Sequence, residues 1–268
     1  MPGRPSPCPA DRLDAEGISA DRLFGGQLIC RQPRRGYRFS VDAVLLAHFC
    51  QPRRRDRILD LGAGCGVVSL ILARRWPEVQ LLALELQPEL ADLAAANAAA
   101  NGFALRLAVR CGDLAAIRQL VPAGAFDLVV TNPPYRRLGS GRRNPVPGQE
   151  TARHETEASL AAVLTAGRHA LRTRGRLALI YPAERLAGLL AGLVAQRLAP
   201  KRLRTVHSHP GGEGRLVLVE AVKEGGEGLR VLPPLVIRDR PGGAYSPEVA
   251  ACYASGPGLS LPDPRPSS

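Results

Sequence analysis

The sequence predicts an α/β fold, a doubly wound, mainly parallel sheet of seven strands with an antiparallel hairpin at its edge. Three observations predict it. Short apolar runs alternate with amphipathic or alanine-rich stretches of helical length. A glycine cluster, Gly62, Gly64 and Gly66, follows the first of these runs, where a strand must turn sharply into a helix. The last two runs are joined through Pro210, Gly211, Gly212 and Gly214, a link short enough for a hairpin.

Taken in order, the strand at 57–61 (RILDL) leads to a helix from Val67 to Trp76, and the strand at 79–86 (VQLLALEL) to a helix from Glu89 to Asn101. The patch Ala94 to Ala100 looks like low complexity, but it lies between Pro88 and Gly102 and has high helix propensity. It reads as a surface helix without chemistry. A strand at 106–111, a short helix near Leu114 to Leu120, the strand FDLVVT at 126–131, a helix around Leu160 to Leu171 and the strand at 176–182 continue the alternation. Such a rhythm of strand and helix implies a parallel sheet covered on both faces. After a helix near Ala187 to Arg197, strands at 203–209 and 215–222 form the expected hairpin.

At 268 residues, one main core is the simplest division. Residues 1–20 lack apolar periodicity and read as a loose tail. Residues 21–237 read as a single domain with a short N-terminal cap, and 238–268, dense in proline and glycine, as a C-terminal tail. The composition, 45% hydrophobic and 22% charged, is that of a globular protein. No basic-then-apolar leader or membrane-length apolar run stands out, which points to the cytoplasm. The six cysteines are scattered, without the close pairs that clamp a metal, so no metal is expected. The net charge of +12 is carried almost wholly by arginine, since only Lys201 and Lys223 are lysines. An excess of this kind suits a polyanionic partner such as RNA, although arginine-rich proteins need not bind one.

Two stretches of the chain carry chemistry. In the first, the spacing Gly-x-Gly-x-Gly lets a ligand approach main-chain amides at a helix N-terminus, but it is not the fingerprint of a dinucleotide pyrophosphate. Glu85, closing the second strand, is placed to accept from ribose hydroxyls. Asp113, after the third, can accept from an adenine amino group or cap the next helix. Together these describe an adenosyl pocket. In the second stretch, FDLVVT runs into Asn132-Pro133-Pro134-Tyr135, where two prolines impose a stiff extended backbone. On it the Asn132 oxygen and the Pro133 carbonyl can accept from one NH2 group, with Tyr135 stacking on an attached flat ring. The delocalised amine of adenine or of a glutamine amide is a poor nucleophile, and two acceptors bias it toward attack without a metal or covalent intermediate.

LDLGAGCG, the acidic end of LALEL, the aspartate of CGDL and TNPPY, in this order, resemble the class I S-adenosylmethionine-dependent methyltransferases of the Asn-Pro-Pro-Tyr group, over residues 56 to 222. LFGGQLICRQPRRGYRFSVDAVLLAHF, and RRLGSGRRNP with ARHE, are similar to the tRNA1(Val) (adenine-N6)-methyltransferase family. The resemblance implies S-adenosylmethionine as cofactor, contacted by Asp60, Gly62, Gly64, Glu85 and Asp113. It puts Ser40 and Asp42 near it, with Ser40 also capping an amphipathic helix. It implies that the target amine faces Asn132 and Pro133 with Tyr135 beneath the base, and that the substrate is an adenine beside the anticodon of a valine tRNA. The chain departs from the group after Tyr135, where Arg136 and Arg137 replace an apolar follower. The arginine-rich connection to Arg153 reads as a lid or RNA contact involving Pro134, Arg136, Arg142 and Arg143. Two other readings remain at this point: a protein glutamine methyltransferase, for which about fifty residues ahead of the first strand leave little room, and a non-catalytic RNA-binding factor of the same fold.

Overall fold

The structure, a computed structural model, describes residues 17–35, 38–133 and 149–254. Strands β1 (Ile18–Leu23) and β2 (Leu28–Pro33) pair antiparallel as a small separate sheet, followed by helix α1 (Val41–Phe49). The alternation then runs β3 (Arg57–Leu61), α2 (Val67–Arg75), β4 (Gln80–Glu85), α3 (Pro88–Ala100), β5 (Leu107–Cys111), α4 (Ile117–Leu120) and β6 (Phe126–Thr131). It continues through α5 (Gln149–Ala170), β7 (Leu171–Pro182), α6 (Leu186–Ala195), β8 (Leu198–His207) and β9 (Gly214–Lys223). Beyond these lie the two-residue strands β10 (Arg230–Val231) and β11 (Leu235–Val236), then helix α7 (Pro247–Ala254).

The large sheet has the order β10-β8-β9-β7-β6-β3-β4-β5, with β11 also paired to β8. The expected seven strands form its body, and β10 and β11 extend it beyond β8, so the hairpin strand β9 lies between β7 and β8. Pairing is parallel from β7 to β5, and only β9 runs antiparallel to its neighbours. From β3 the chain winds outward in both directions, which leaves a crevice at the carboxyl ends of β3 and β6. Alternation along the strands divides the core: Ile58, Leu128, Val130 and Ile180 belong to one buried cluster, Leu59, Leu61, Val129 and Leu179 to the other. Both faces are covered, so the central strands read as continuous apolar runs.

Helix α1 departs from the amphipathic expectation. Ser40 caps it, accepting from the Asp42 N–H at 3.3 Å, but every residue from Ala43 to Phe49 is buried because α2, β7 and α7 enclose it. The segment after Arg238, expected as part of a loose tail, differs too. There Pro241 to Gly243 form a turn and α7 docks, burying Val249 and Cys252. Arg204 clamps Glu248 through two bonds of 2.7 and 2.9 Å, and the Phe24 N–H donates to the Tyr253 carbonyl at 2.9 Å. Turn formers marked the local bends correctly, but α7 packs on β11 and on α1, the latter far off in sequence.

Candidate functional site

The glycine loop forms the floor of the crevice. Gly62, Gly64 and Gly66 have φ of 69, 58 and 85°, the left-handed region that favours glycine. A Cβ at Gly62 would meet nothing within 4 Å, so open space faces that backbone. At Gly66 it would sit 3.2 Å from the Ala94 Cβ, so this glycine serves packing of α3 on the loop. The Gly62 and Ala63 amides donate to the Leu84 carbonyl at 2.9 and 3.1 Å, pinning the loop to the end of β4.

Glu85 is only 6% exposed, so it is not a solvated strand end. Its carboxylate accepts from the Gly64 N–H at 2.8 Å and the Gln87 N–H at 3.0 Å, which leaves about two of its four lone-pair positions for a ligand. Asp113 is exposed and caps the turn after β5, accepting from the Ala115 N–H at 2.8 Å. Capping was the alternative weighed for it, and its second oxygen is not engaged in that bond.

Asp60 lies behind the loop. It is 1% exposed and accepts from the Ser69 hydroxyl at 2.7 Å, so it ties β3 to the first turns of α2. Burial pushes its carboxyl up to about 7, against the lowering effect of the Ser69 bonds and with a further upward push from the Glu85 charge. The folded chain therefore holds this proton more tightly than the unfolded one, and the stability Asp60 contributes is lost as pH rises from about 4 to 7. His48, buried in α1, has the opposite sign: burial lowers it to about 4, and stability is lost as pH falls from 6.5. Each effect is worth roughly 3–4 kcal/mol at its limit. Thermal unfolding between pH 4 and 7 is the check. Asp60→Asn should expose the histidine slope, with Tm rising with pH, whereas His48→Gln should expose the falling one; unchanged profiles would contradict both assignments.

On the other side of β3, the Thr131 hydroxyl donates to the Leu61 carbonyl at 2.9 Å, so the end of β6 is held in register with the start of the glycine loop. Asn132 and the buried Pro133 follow directly. Among the described residues nothing donates to the buried Asn132 Oδ1, an arrangement that is costly unless something else supplies a donor. Pro134, Tyr135, Arg136, Arg142 and Arg143 lie outside the described residues. Sequence reasoning missed Ser69 and Thr131, whose hydroxyls carry no distinguishing pattern.

Among the described residues, no group of three or more His, Cys, Asp or Glu side chains could hold a metal, and no helix is long and apolar enough to cross a membrane. Two further basic stretches, Arg53 to Arg57 and Lys201 to Arg204, make contacts within the fold, although the Arg54 and Arg55 side chains stay largely exposed. Arg54 pairs with Glu78 at 2.6 Å, and Arg57 begins β3, at the sheet edge opposite the glycine loop. Lys201 bonds the Glu227 carbonyl, Arg202 lies over the Phe49 ring and near Glu220, and Arg204 holds Glu248.

The model of the methyltransferase small domain family matches residues 40–185, which span α1, the glycine loop, Asn132 and β7. The chain belongs to this family. It is an S-adenosylmethionine-dependent methyltransferase, and the open backbone at Gly62 and the spare acceptor positions of Glu85 fit that cofactor. The methyltransferase is 35% identical over 189 residues to a protein of Porphyromonas gingivalis named tRNA1(Val) (adenine(37)-N6)-methyltransferase, covering 68% of this chain and 73% of that one. A protein of the same name from Tolumonas auensis is 31% identical, covering 70% and 77%. Among solved structures, a predicted O-methyltransferase of Agrobacterium tumefaciens superimposes with a TM-score of 0.65 at 24% identity, over 79% of this chain and 95% of that one. TrmN from Thermus thermophilus does so with a TM-score of 0.52 at 21% identity, over 68% and 47%. Both likenesses concern the fold.

Proposed function

We propose that this methyltransferase modifies the N6 amine of adenine in tRNA, at the adenine beside the anticodon of a valine tRNA. The observation that carries the reading is the buried, unpaired Oδ1 of Asn132 at the end of β6, next to Pro133 and in register with the glycine loop. An acceptor left in that state calls for a donor from outside, and an exocyclic NH2 is one that two neighbouring acceptors can hold. The names of the relatives support adenine in tRNA, and the +12 charge suits a polyanion.

S-adenosylmethionine supplies an electrophilic methyl group when bound. The chain's own residues do the rest by binding and orientation. In this reading Gly62 presents the cofactor with open backbone beside Gly64, Glu85 receives ribose hydroxyls on its remaining lone pairs, and Asp113 meets the adenine end. Ser40 and Asp42, at the start of α1, close over it. Asn132 Oδ1 and the Pro133 carbonyl accept from the target amine, turning its lone pair toward the methyl group, while Tyr135 stacks on the base. The substrate base must leave its stack to enter, which a loop adenine does at low cost. Pro134, Arg136, Arg142 and Arg143 are assigned to the RNA side of the pocket.

The test is methyl transfer from labelled S-adenosylmethionine to total RNA from a strain lacking the gene, followed by nucleoside mass spectrometry. N6-methyladenosine appearing in the tRNA fraction is the expected result. Labelled protein with unlabelled RNA would overturn it in favour of a glutamine amide.

A further inference from the structure

Helix α3, expected from its alanine-rich sequence to be a surface helix without chemistry, presents two asparagines one turn apart to the N-terminal hairpin. Asn97 is 0% exposed. Each amide grips one residue of β2 at two points, as a neighbouring strand would. The Ile29 N–H donates to Asn101 Oδ1 at 2.9 Å and Asn101 Nδ2 donates back to the Ile29 carbonyl at 2.7 Å. The Arg31 N–H donates to Asn97 Oδ1 at 2.9 Å and Asn97 Nδ2 donates back to the Arg31 carbonyl at 2.8 Å. Because β2, among the described residues, pairs only with β1, these side chains satisfy backbone groups on its outer edge.

The two asparagines differ in one respect. Asn97 Nδ2 spends its second hydrogen on the Cys65 carbonyl, at 3.0 Å, inside the glycine loop. Asn101 instead bonds the Asn97 carbonyl of its own helix. From β2 the connection continues: buried Gln32 accepts the Phe39 N–H on Oε1 at 2.9 Å, immediately ahead of Ser40 and Asp42. One primary amide thus joins the hairpin that carries the start of α1 to the loop that faces the crevice.

We propose that Asn97 is a positioning residue for cofactor binding, locking the N-terminal hairpin to the glycine loop so that both are presented as one preformed surface. It touches the cofactor nowhere; it acts through the Cys65 carbonyl and Arg31. The inference rests on assigning the glycine loop to the cofactor and is independent of which substrate is methylated.

The experiment compares Asn97→Ala with Asn101→Ala in the full chain by calorimetric titration with S-adenosylmethionine, thermal unfolding and steady-state kinetics. Both variants loosen the hairpin, and both should lower Tm. Only Asn97→Ala should weaken cofactor binding, by about tenfold to a hundredfold, with KM for the cofactor rising in step and kcat at saturation changing by less than about threefold. A purely structural role would lower Tm in both and leave affinity unchanged, or weaken affinity equally in both; either result overturns the proposal. Should Asn97→Ala not fold, hydrogen exchange on the wild-type chain decides. Linkage requires added cofactor to increase protection of the Arg31 amide, and an unaltered Arg31 amide overturns the proposal.

Discussion

Asn132→Ala is expected to lower kcat by about 10²- to 10³-fold while cofactor affinity and thermal stability stay near wild type. The asymmetry follows from what the side chain does in the free enzyme. Its Oδ1 is buried and, among the described residues, accepts nothing, so its removal costs no bond at that atom and relieves a desolvated acceptor. Thr131 and the glycine loop remain tied through the Leu61 carbonyl, so the cofactor side of the crevice is undisturbed. What is lost is an acceptor needed only when the amine is being methylated. Single-turnover rates with saturating cofactor and tRNA, beside calorimetry of the cofactor alone, separate these quantities. Wild-type turnover in the variant would refute the assignment of Asn132, and a lost Tm would show that the residue is structural.

Glu85→Ala should act in the reverse way, abolishing measurable cofactor binding and destabilising the fold together. The carboxylate satisfies two backbone amides, Gly64 and Gln87, at a site only 6% exposed, and the loop amide at Gly64 would be left without its charged partner. Losing charge-assisted bonds of this kind costs about 1.5–3 kcal/mol each. For a domain of this size that corresponds to a fall in Tm of several degrees. The same deletion removes the acceptors assigned to the ribose, so affinity should drop by at least about a hundredfold. Differential scanning calorimetry with and without S-adenosylmethionine reads both effects: the wild type should gain thermal stability on adding cofactor and the variant should gain none. A variant still stabilised by the cofactor would remove Glu85 from the binding site.

Much of this was legible along the chain. Alternating apolar runs and helical stretches declared the wound sheet, because strands covered on both faces must be apolar throughout. The glycine spacing marked the turn after β3, because only particular residues tolerate that backbone, and the Asn-Pro-Pro run marked the end of β6. The helix cap at Ser40 was visible for the same local reason. Asp113 stayed ambiguous, since capping and ligand contact demand the same side chain, and it does cap.

Other features had no local signature. Nothing in the sequence distinguishes an exposed Glu85 from one buried against Gly64, or Arg202 and Arg204, which are engaged within the fold, from arginines that are not. The alanine-rich helix hid Asn97 and Asn101, whose partners on β2 lie more than sixty residues away. The tail-like composition after Arg238 hid α7, which packs on a helix from the other end of the chain. By itself, then, the sequence determined the fold class, the family and the glycine turn after β3, features set by backbone sterics and hydrophobic period acting over a few residues. Tertiary structure alone decided which polar groups are buried, which are already satisfied and which, like the Asn132 oxygen among the described residues, are not. Burial and hydrogen-bond satisfaction are properties of contacts between distant segments, and no local pattern encodes them.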